Sequence, residues 1–326
     1  MSGYILRRLL LLIPVLFGVT LVVFSVMSLV PGDPALAILG PYATPERLAE
    51  LRADLGLQQP WPTRYLHWLG NLLQGDLGRS VSLQRPVMDA LLDRLGPTLL
   101  LAGAALTIGT LMGVAAGLLA ALRHNRTADR LLTLAVLIGI SLPSFWLGLL
   151  LILLFAVWLG WLPASGMTTV WLAGVGTDLG WNLDKVGDVL RHLVLPTLSL
   201  ALVAAGVIGR IARAAAIDLL AADHIRLCRA RGIAESRILL LHCLKGLLAR
   251  CMPVIGLQAG FLIGGAVYIE TIFQWPGLGR MLVDAIAARD LLLVQGGVLV
   301  LATAYVLVNL AADLLQYALD RRTRAA

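Results

Sequence analysis

The chain has 326 residues, of which 59% are hydrophobic and only 14% are charged, and its mean hydropathy is +0.87. Soluble globular domains have roughly 45–50% apolar and about 25% charged residues. The chain therefore carries more apolar surface than a soluble fold can bury, and its composition predicts a protein embedded in lipid. The formal net charge of +7 is interpreted here by its position along the chain, and no nucleic-acid partner is predicted.

Six apolar runs are long enough to cross a bilayer as helices, which takes about 20 residues. They span residues 9–30, 98–122, 131–159, 193–216, 252–272 and 291–316. Backbone groups in lipid must be satisfied within the chain, so the predicted fold is all-α, with six transmembrane helices. Pro143 interrupts the third run and is expected to kink it. The first run is longer than the apolar segment of a signal peptide, about 7–15 residues, and is predicted to be retained.

The segments between these runs define the predicted organisation. Residues 1–30 form the first transmembrane helix, 31–97 an intervening polar module, and 98–326 the core. Within the module, Thr44 is a predicted N-cap and residues 87–95 a predicted short helix beside the membrane. Trp61, Tyr65 and Trp68 either line one face of a helix or form an aromatic belt at the membrane surface.

The distribution of charge predicts the orientation. The side that holds both termini and the segment 218–250 carries 16 Lys and Arg against 6 Asp and Glu, whereas the other side carries 10 against 13. Loops rich in Lys and Arg stay in the cytoplasm. Both termini and the segment 218–250 are therefore predicted to be cytoplasmic, and the loops 31–97 and 160–191 are predicted to face outward.

The segment 218–250 is a basic, amphipathic insert between two apolar runs. Residues 218–231 are predicted to form one helix, with Gly232 as its left-handed C-terminal cap. Ile225 and Cys228 share a face and predict an apolar knob with a basic rim. Such a helix fits a groove on a partner protein or the headgroups of anionic lipid, and both alternatives stay open at this point. The residues predicted to couple the chain to a partner are Leu220, Ala221, Asp223, Ile225, Arg226, Cys228, Arg229, Arg231 and Gly232.

Small residues recur at every fourth position in two of the apolar runs. Gly109, Gly113 and Gly117 mark the second run. The fifth run carries Gly256, Gly260 and Gly264, followed by Glu270 near its outer end. Small residues with this spacing allow close approach of helix backbones. These positions of the fifth run are candidates for helix packing or for the transport path, and Glu270 alternatively is an interfacial residue.

Motifs for enzymatic chemistry are missing from the sequence. The two lysines, Lys185 and Lys245, do not follow a glycine, so no P-loop for ATP is present. No metal site, cofactor or catalytic residue is predicted. An intramembrane hydrolase would need a nucleophile and a base within the spans. An ion-coupled transporter would bury several ionisable groups, but only Glu270 and Asp313 come close. Both alternatives are disfavoured, and the energy source is predicted to be another protein.

Several motifs carry a resemblance to a known family. They are Tyr4-Ile-Leu-Arg-Arg8, Pro31-Gly-Asp-Pro34, Leu55-Gly-Leu-Gln-Gln-Pro60, Gly75-Asp-Leu-Gly78, Ile269-Glu-Thr-Ile-Phe-Gln-Trp-Pro-Gly-Leu-Gly-Arg280, Ala288-Arg-Asp290 and Val294-Gln-Gly296. With these motifs the chain resembles the permease subunits of ABC importers of the dipeptide, oligopeptide and nickel class. The family has a cytoplasmic coupling loop with the pattern Glu-Ala-Ala-x3-Gly. Gly232 matches its glycine, whereas Arg226-Leu-Cys228 stands in place of Glu-Ala-Ala.

The resemblance implies a type I ABC importer permease in the bacterial inner membrane. It implies as partners a homologous second permease, two cytoplasmic ATPase subunits that bind ATP and Mg, a periplasmic or lipid-anchored solute-binding protein, and membrane lipid. The implied cargo is a di- or oligopeptide, with nickel or a nickel chelate as the alternative. The resemblance also implies that the 31–97 module meets the binding protein or caps the path.

Overall fold

The structure is a computed structural model that describes residues 2–29, 34–40, 43–54, 58–167 and 183–319. These residues form helices without a β-strand, which confirms the predicted all-α class. The helices are α1 (Ser2–Leu29), α2 (Pro34–Leu39), α3 (Pro45–Asp54), α4 (Trp61–Leu73), α5 (Val87–Leu122), α6 (Thr127–Ser141), α7 (Ser144–Leu151), α8 (Leu183–Ala221), α9 (Asp223–Ala230), α10 (Glu235–Arg237), α11 (Leu244–Ile272), α12 (Leu278–Ala287) and α13 (Leu291–Leu319). A π-helical segment, Ile152–Trp158, continues α7, and a second one, Ile238–Cys243, joins α10 to α11.

The predicted number of spans is confirmed if one broken helix counts as a span. Five helices among the described residues are long and apolar enough to cross a membrane. The sixth span is the pair Thr127–Ser141 and Ser144–Trp158, which bends by 106° at its break. The predicted kink at Pro143 is confirmed, and it takes the form of a sharp turn. Leu142 adopts an extended backbone, since a proline disfavours the helical conformation of the residue before it.

The second span is longer than predicted at its start. Residues 87–95 do not form a separate helix beside the membrane, because α5 runs without interruption from Val87 to Leu122 through Pro97. The predicted boundary between the 31–97 module and the core therefore falls inside a continuous helix. The predicted start of α3 is confirmed, since the backbone N–H of Arg47 donates to the Thr44 side chain at 3.4 Å.

The glycine stripe of α5 packs directly against the backbone of α8. A Cβ added at Gly117 would lie 2.6 Å from the carbonyl oxygen of Gly209. Along this seam, Gly109, Gly113 and Gly117 face Ala201, Ala205 and Gly209 in the same order. The two helices therefore run parallel, and only the absence of a side chain allows them to approach this closely.

A buried ion pair joins α8 to the start of α6. Asp129 is buried and accepts two hydrogen bonds from Arg213, Nε to Oδ1 at 2.7 Å and Nη2 to Oδ2 at 2.8 Å. The backbone N–H of Asn125 adds a third at 3.0 Å. Further along, a Cβ on Gly206 would meet the carbonyl oxygen of Val136 at 2.9 Å. Helices α5, α6 and α8 are therefore held together by backbone contact and by one paired charge.

The glycines of α11 pack less uniformly than the sequence predicts. A Cβ on Gly256 would lie 2.7 Å from the Ala312 Cβ, and one on Gly260 would lie 2.5 Å from the Tyr305 ring, so both glycines form a seam with α13. At Gly264 a Cβ would have no neighbour within 4 Å. Gly264 therefore does not belong to this seam, and its alternative role in the transport path stays a prediction.

The helix directions place the connections at two ends of the bundle. One end holds residues 123–126 and 222–243, and we call it the basic end. The other end holds the start of α5, residues 273–290 and the start of α13, and we call it the Glu270 end. Because α5 and α8 run parallel, both begin at the Glu270 end and finish at the basic end.

The seam between α5 and α8 predicts the effect of a single methyl group. We expect Gly117→Ala to lower the stability of the folded protein by about 1–3 kcal/mol, the usual cost of overpacking. Gly103→Ala is the matched control on the same helix, because a Cβ there meets nothing within 4 Å. Thermal unfolding in detergent should separate the two variants, and equal melting temperatures would contradict the assigned seam.

Candidate functional sites at the two ends of the bundle

At the basic end, α8 and α9 are two helices rather than the single helix predicted over 218–231. Helix α8 ends at Ala221, and α9 begins at Asp223. Between them Ala222 has an extended backbone, with φ −68° and ψ 146°. No proline or glycine marks this break, so the local sequence carries no signal for it.

The predicted apolar knob on α9 is also wrong. Ile225 is fully buried in the protein, whereas Cys228 is only partly exposed. Helix α9 packs against α8 and against the π-helical segment Ile238–Cys243, and this packing covers the Ile225 side. The apolar side chain that projects from α9 is Leu227, which is 52% exposed and is not among the residues predicted from the sequence.

The predicted glycine cap of α9 is confirmed. Gly232 has φ +71°, in the left-handed region that favours glycine. Its N–H donates to the Arg229 carbonyl at 3.0 Å, and the N–H of Ile233 donates to the Cys228 carbonyl at 3.2 Å. This pair of bonds is the Schellman motif, which satisfies the last carbonyls of a helix and turns the chain away from it.

Arg229 forms contacts within the chain that stabilise this end of the molecule. Its guanidinium forms two hydrogen bonds with Glu235, at 2.7 and 3.2 Å, and Nη1 reaches the Leu220 carbonyl at 3.4 Å. The hydrogen bond to Glu235 raises the pKa of Arg229 above its ordinary value, so the side chain stays charged. Arg229 thus connects the end of α8 with the start of α10, across α9.

The remaining predicted residues form the outer surface of this end. Arg226 pairs with Asp223 at 3.6 Å, and both side chains are exposed. We define the coupling surface as these two residues together with Leu227 and Arg231, which are also exposed. Ala221, Arg229 and Gly232 are exposed beside it, and Leu220 is half-buried. A protruding leucine within a basic rim suits contact with another protein, because the leucine can fill a pocket and the arginines can pair with acids.

At the opposite end, Glu270 is fully buried rather than interfacial. Thr98 donates its hydroxyl proton to Oε1 at 2.6 Å, and the Arg280 backbone N–H donates to Oε2 at 3.1 Å. The Thr98 oxygen in turn accepts the Leu278 N–H at 2.8 Å. Three separate parts of the chain, in α5, α11 and α12, therefore meet at one carboxyl group.

The Glu270 carboxyl group and Thr98 cap the N-terminus of α12. Gly277, the N-cap residue of that helix, has no side chain that could accept a hydrogen bond. The free N–H groups and the helix dipole favour an acceptor, preferably an anion, at this place. Gly277 and Gly279 leave the room that this requires, because a Cβ on either would collide with the Glu270 carboxyl group. This contact explains the glycines of the segment 269–280.

Trp275 and Arg94 complete this cluster. Trp275 is fully buried, and its Nε1 donates to the Pro97 carbonyl at 3.0 Å. The Arg94 side chain donates to the Pro276 carbonyl at 3.3 Å. We call Arg94, Thr98, Glu270 and Trp275 the Glu270 cluster. It fixes the first turns of α5 to the connection between α11 and α12.

A second carboxylate fastens the loop before α5 to the start of α13. Asp290 is buried, and its Oδ2 accepts hydrogen bonds from the hydroxyls of Ser80 and Ser82, at 2.6 and 2.8 Å, and from the Ser82 N–H at 2.9 Å. Its Oδ1 accepts the Leu293 N–H at 3.2 Å. Burial acts to raise the pKa of Asp290, but these hydrogen bonds outweigh it and hold the pKa below its usual range.

Glu270 and Asp290 lie in family-like motifs of the sequence, but these motifs predict neither Thr98 nor Ser80 as a partner. These contacts join residues more than 170 positions apart, and no local pattern reports them. Among the described residues, no group of three or more His, Cys, Asp or Glu side chains is placed to hold a metal ion.

The cap on α12 predicts a specific role for the Thr98 hydroxyl. Thr98→Val should lower stability by about 1–3 kcal/mol, because it leaves the Leu278 N–H and one Glu270 oxygen without a partner in a buried place. Thr98→Ser keeps the hydroxyl and should restore most of this loss. Melting temperatures of both variants test the assignment, and a serine variant as unstable as the valine variant would contradict it.

The pKa of Asp290 predicts how its contribution depends on pH. A carboxyl group with a lowered pKa stabilises the fold above its ordinary pKa, about 3.9, and loses this effect as the pH falls through the folded value. The protein should therefore be more stable than Asp290→Asn at neutral pH, and the difference should shrink on acidification. Unfolding midpoints between neutral and acidic pH measure this, and a gap that stays constant would refute the charge-based account.

Comparison with family models matches both halves of the chain. Residues 113–325 match the family described as binding-protein-dependent transport system inner membrane component. Residues 1–102 match its N-terminal companion, described as binding-protein-dependent transport system membrane component, N-terminal. The first match alone covers more than half of the chain.

Two curated relatives align over nearly the whole chain. The dipeptide transport system permease protein DppB of Alkalihalophilus pseudofirmus is 40% identical, over 99% of this chain and 100% of the relative. The glutathione transport system permease protein GsiC of Escherichia coli K12 is 39% identical, over 99% of each.

A solved structure supports the fold. The inward-facing MetNI methionine ABC transporter matches with a TM-score of 0.55 at 20% identity, over 72% of this chain and 98% of that chain. The fold is thus that of a type I ABC importer permease. The chain belongs to the binding-protein-dependent transport system inner membrane components, the permease subunits of bacterial ABC importers, and it is a multi-pass protein of the inner membrane.

Proposed function

We propose that this chain is the permease subunit through which an ABC importer translocates di- or oligopeptides. The observation that carries the proposal is the full-length similarity to DppB and GsiC, whose names state dipeptide and glutathione transport. Glutathione is itself a small peptide, so both relatives carry cargo of one chemical class. The nickel alternative has no comparable support, because neither relative's name states nickel transport.

In this proposal the basic end faces the cytoplasm and the Glu270 end faces the periplasm. The support is the uneven distribution of charge, 16 basic against 6 acidic residues on the side of the basic end. A binding protein, periplasmic or lipid-anchored, would then deliver the peptide at the Glu270 end. A homologous permease would complete the path, and the two ATPase subunits would bind ATP and Mg at the basic end.

The coupling surface is the proposed contact with an ATPase subunit. Helix α9 follows α8 after a single residue, and Arg229 ties α9 to both of its neighbours in the chain. A displacement of α9 would therefore be passed to α8. Because α8 is fixed to α5 by the glycine seam and to α6 by the Asp129–Arg213 pair, the three helices would move as one body.

The same movement would reach the Glu270 end through α5. Thr98 and Pro97 of α5 are hydrogen-bonded to α11, α12 and their connection. The Glu270 cluster is thus the proposed place where a displacement of α5 is transmitted to α11 and α12. Transport requires two global states of the permease, each favoured by a different state of the motor.

The experiment is uptake by proteoliposomes that contain this chain, its partner permease, the ATPase subunits and the cognate binding protein. We expect ATP-dependent accumulation of a labelled dipeptide, with unlabelled di- and tripeptides as competitors and nickel salts without effect. ATP-dependent uptake of nickel without peptide uptake would contradict the proposed cargo.

The same vesicles test the coupling surface. Leu227→Asp and Arg231→Glu should each lower the rate of uptake, and the loss of uptake should be at least as large as any loss in the rate of ATP hydrolysis. The reason is that both substitutions alter the contact but not the fold of α9. Arg229→Glu should instead lower the stability of the basic end, because it removes the pair with Glu235. The double variant with Arg229→Glu and Glu235→Arg should restore this stability. His224→Gln, at an exposed position of α9 beside this surface, serves as the neutral control. Normal coupled uptake in both surface variants would refute the docking assignment.

A further inference from the structure

Helix α4, within the 31–97 module, has three distinct faces. At 100° per residue, its side chains fall into an aromatic sector, an aliphatic sector next to it and a polar sector opposite the aliphatic one. The aromatic face comprises Trp61, Tyr65, Trp68 and Leu72; the aliphatic face Pro62, Leu66, Leu69 and Leu73; and the polar face Thr63, Arg64, His67 and Asn71.

The aromatic face is occupied by α1. Phe24 lies between 5.4 and 5.6 Å, centroid to centroid, from the rings of Trp61, Tyr65 and Trp68. The hydroxyls of Tyr65 and Thr20 are hydrogen-bonded at 2.9 Å, and both residues are buried. Of the two alternatives for these aromatic residues, the structure therefore selects packing on a helix rather than a belt exposed at the membrane surface.

This contact sets the depth of α4. Thr20 lies nine residues before the end of the apolar span Leu10–Leu29, which is about 13 Å along a helix at 1.5 Å per residue. The hydrocarbon core is about 30 Å thick. Val19, one residue earlier, lines an apolar groove together with Leu301 of α13. Leu301 is the eleventh residue of the apolar span Leu291–Tyr317. Both measures place the contact between α1 and α4 inside the hydrocarbon core, closer to its middle than to its surface.

The aliphatic face of α4 is left uncovered by the protein. Leu66 is 65% exposed and Leu73 is 81% exposed. Val22 and Val26 of α1 are exposed apolar side chains as well. His67 and Asn71, on the polar face, are exposed as well. At this depth an apolar face suits contact with acyl chains, whereas exposed polar side chains need a water-filled cavity.

We infer that α4 is anchored in the lipid leaflet at the Glu270 end, with Leu66 and Leu73 covered by acyl chains and the polar face directed to water. The inference is independent of which side of the membrane that end faces. It changes the expectation for the 31–97 module, because the middle of the module would be fixed to the bilayer and to α1. Only its other parts would be available to a partner in solution.

Nitroxide spin labels test this inference in the assembled complex, reconstituted in lipid nanodiscs without binding protein. The three native cysteines are first replaced by serine, and single cysteines are introduced by Leu66→Cys, Leu73→Cys or His67→Cys. Val22→Cys on α1 is the lipid reference, and Glu46→Cys on the exposed face of α3 is the water reference. Collision with oxygen reports lipid, and collision with a water-soluble nickel chelate reports water.

The expected result is a preference for oxygen at Leu66 and Leu73 that resembles Val22, and a shift toward the nickel chelate at His67 on the same helix. Water-like behaviour of all three labels would overturn the inference. Shielding of Leu66 and Leu73 from both reagents would also overturn it, because a protein surface would then cover the face. The labelled leucines are exposed, so the labels should not disturb packing, and retained ATPase activity confirms that each variant is assembled.

Discussion

The close approach of α5 and α8 is the contact on which the rest of the structure depends. Lipid is as apolar as a leucine side chain, so burial of apolar surface does not hold transmembrane helices together; close packing and polar contacts do. The stripe from Gly109 to Gly117 lets the two backbones touch over several turns. Helix α8 also packs against α6 and is followed by α9. The seam therefore connects the basic end to the helices in the interior of the bundle. The seam of Gly256 and Gly260 with α13 repeats the same solution in the other half of the core.

Three buried carboxyl groups supply what the glycine seams do not, which is a fixed register between helices. Asp129 joins α6 to α8, Glu270 joins α5 to α11 and α12, and Asp290 joins the loop before α5 to α13. A buried charge in a membrane protein is costly unless it is paired or hydrogen-bonded. Each of the three has several partners with good geometry, so each one holds its elements in a single arrangement. When a transporter changes between its two global states, each of these contacts has to be either preserved or replaced by another.

At the basic end, some residues stabilise the structure and others project from it as the proposed contact. Ile225 and Arg229, which the sequence marks as candidates for contact, act within the chain: the first is buried, and the second braces α8 against α10. Leu227 and Arg231 project from this scaffold. The departure from Glu-Ala-Ala at residues 226–228 thus coincides with the place where an exposed arginine and leucine form the proposed contact. At the other end, the contact of α4 with lipid would fix the 31–97 module relative to the bilayer.

The sequence by itself determined the membrane location, the six spans, the glycine stripe of α5 and the cap at Gly232, because each depends on apolar length or on local backbone conformation. It did not determine the break at Ala222, the inward position of Ile225 or the partners of Glu270. Residues 218–231 are compatible with one continuous helix, but the chain turns at Ala222 and α9 packs against the segment 238–243. Likewise, Glu270 near the end of an apolar run reads as interfacial until Thr98 and the start of α12 are brought to it. These features arise from contacts between distant parts of the chain, and such contacts exist only in the tertiary structure.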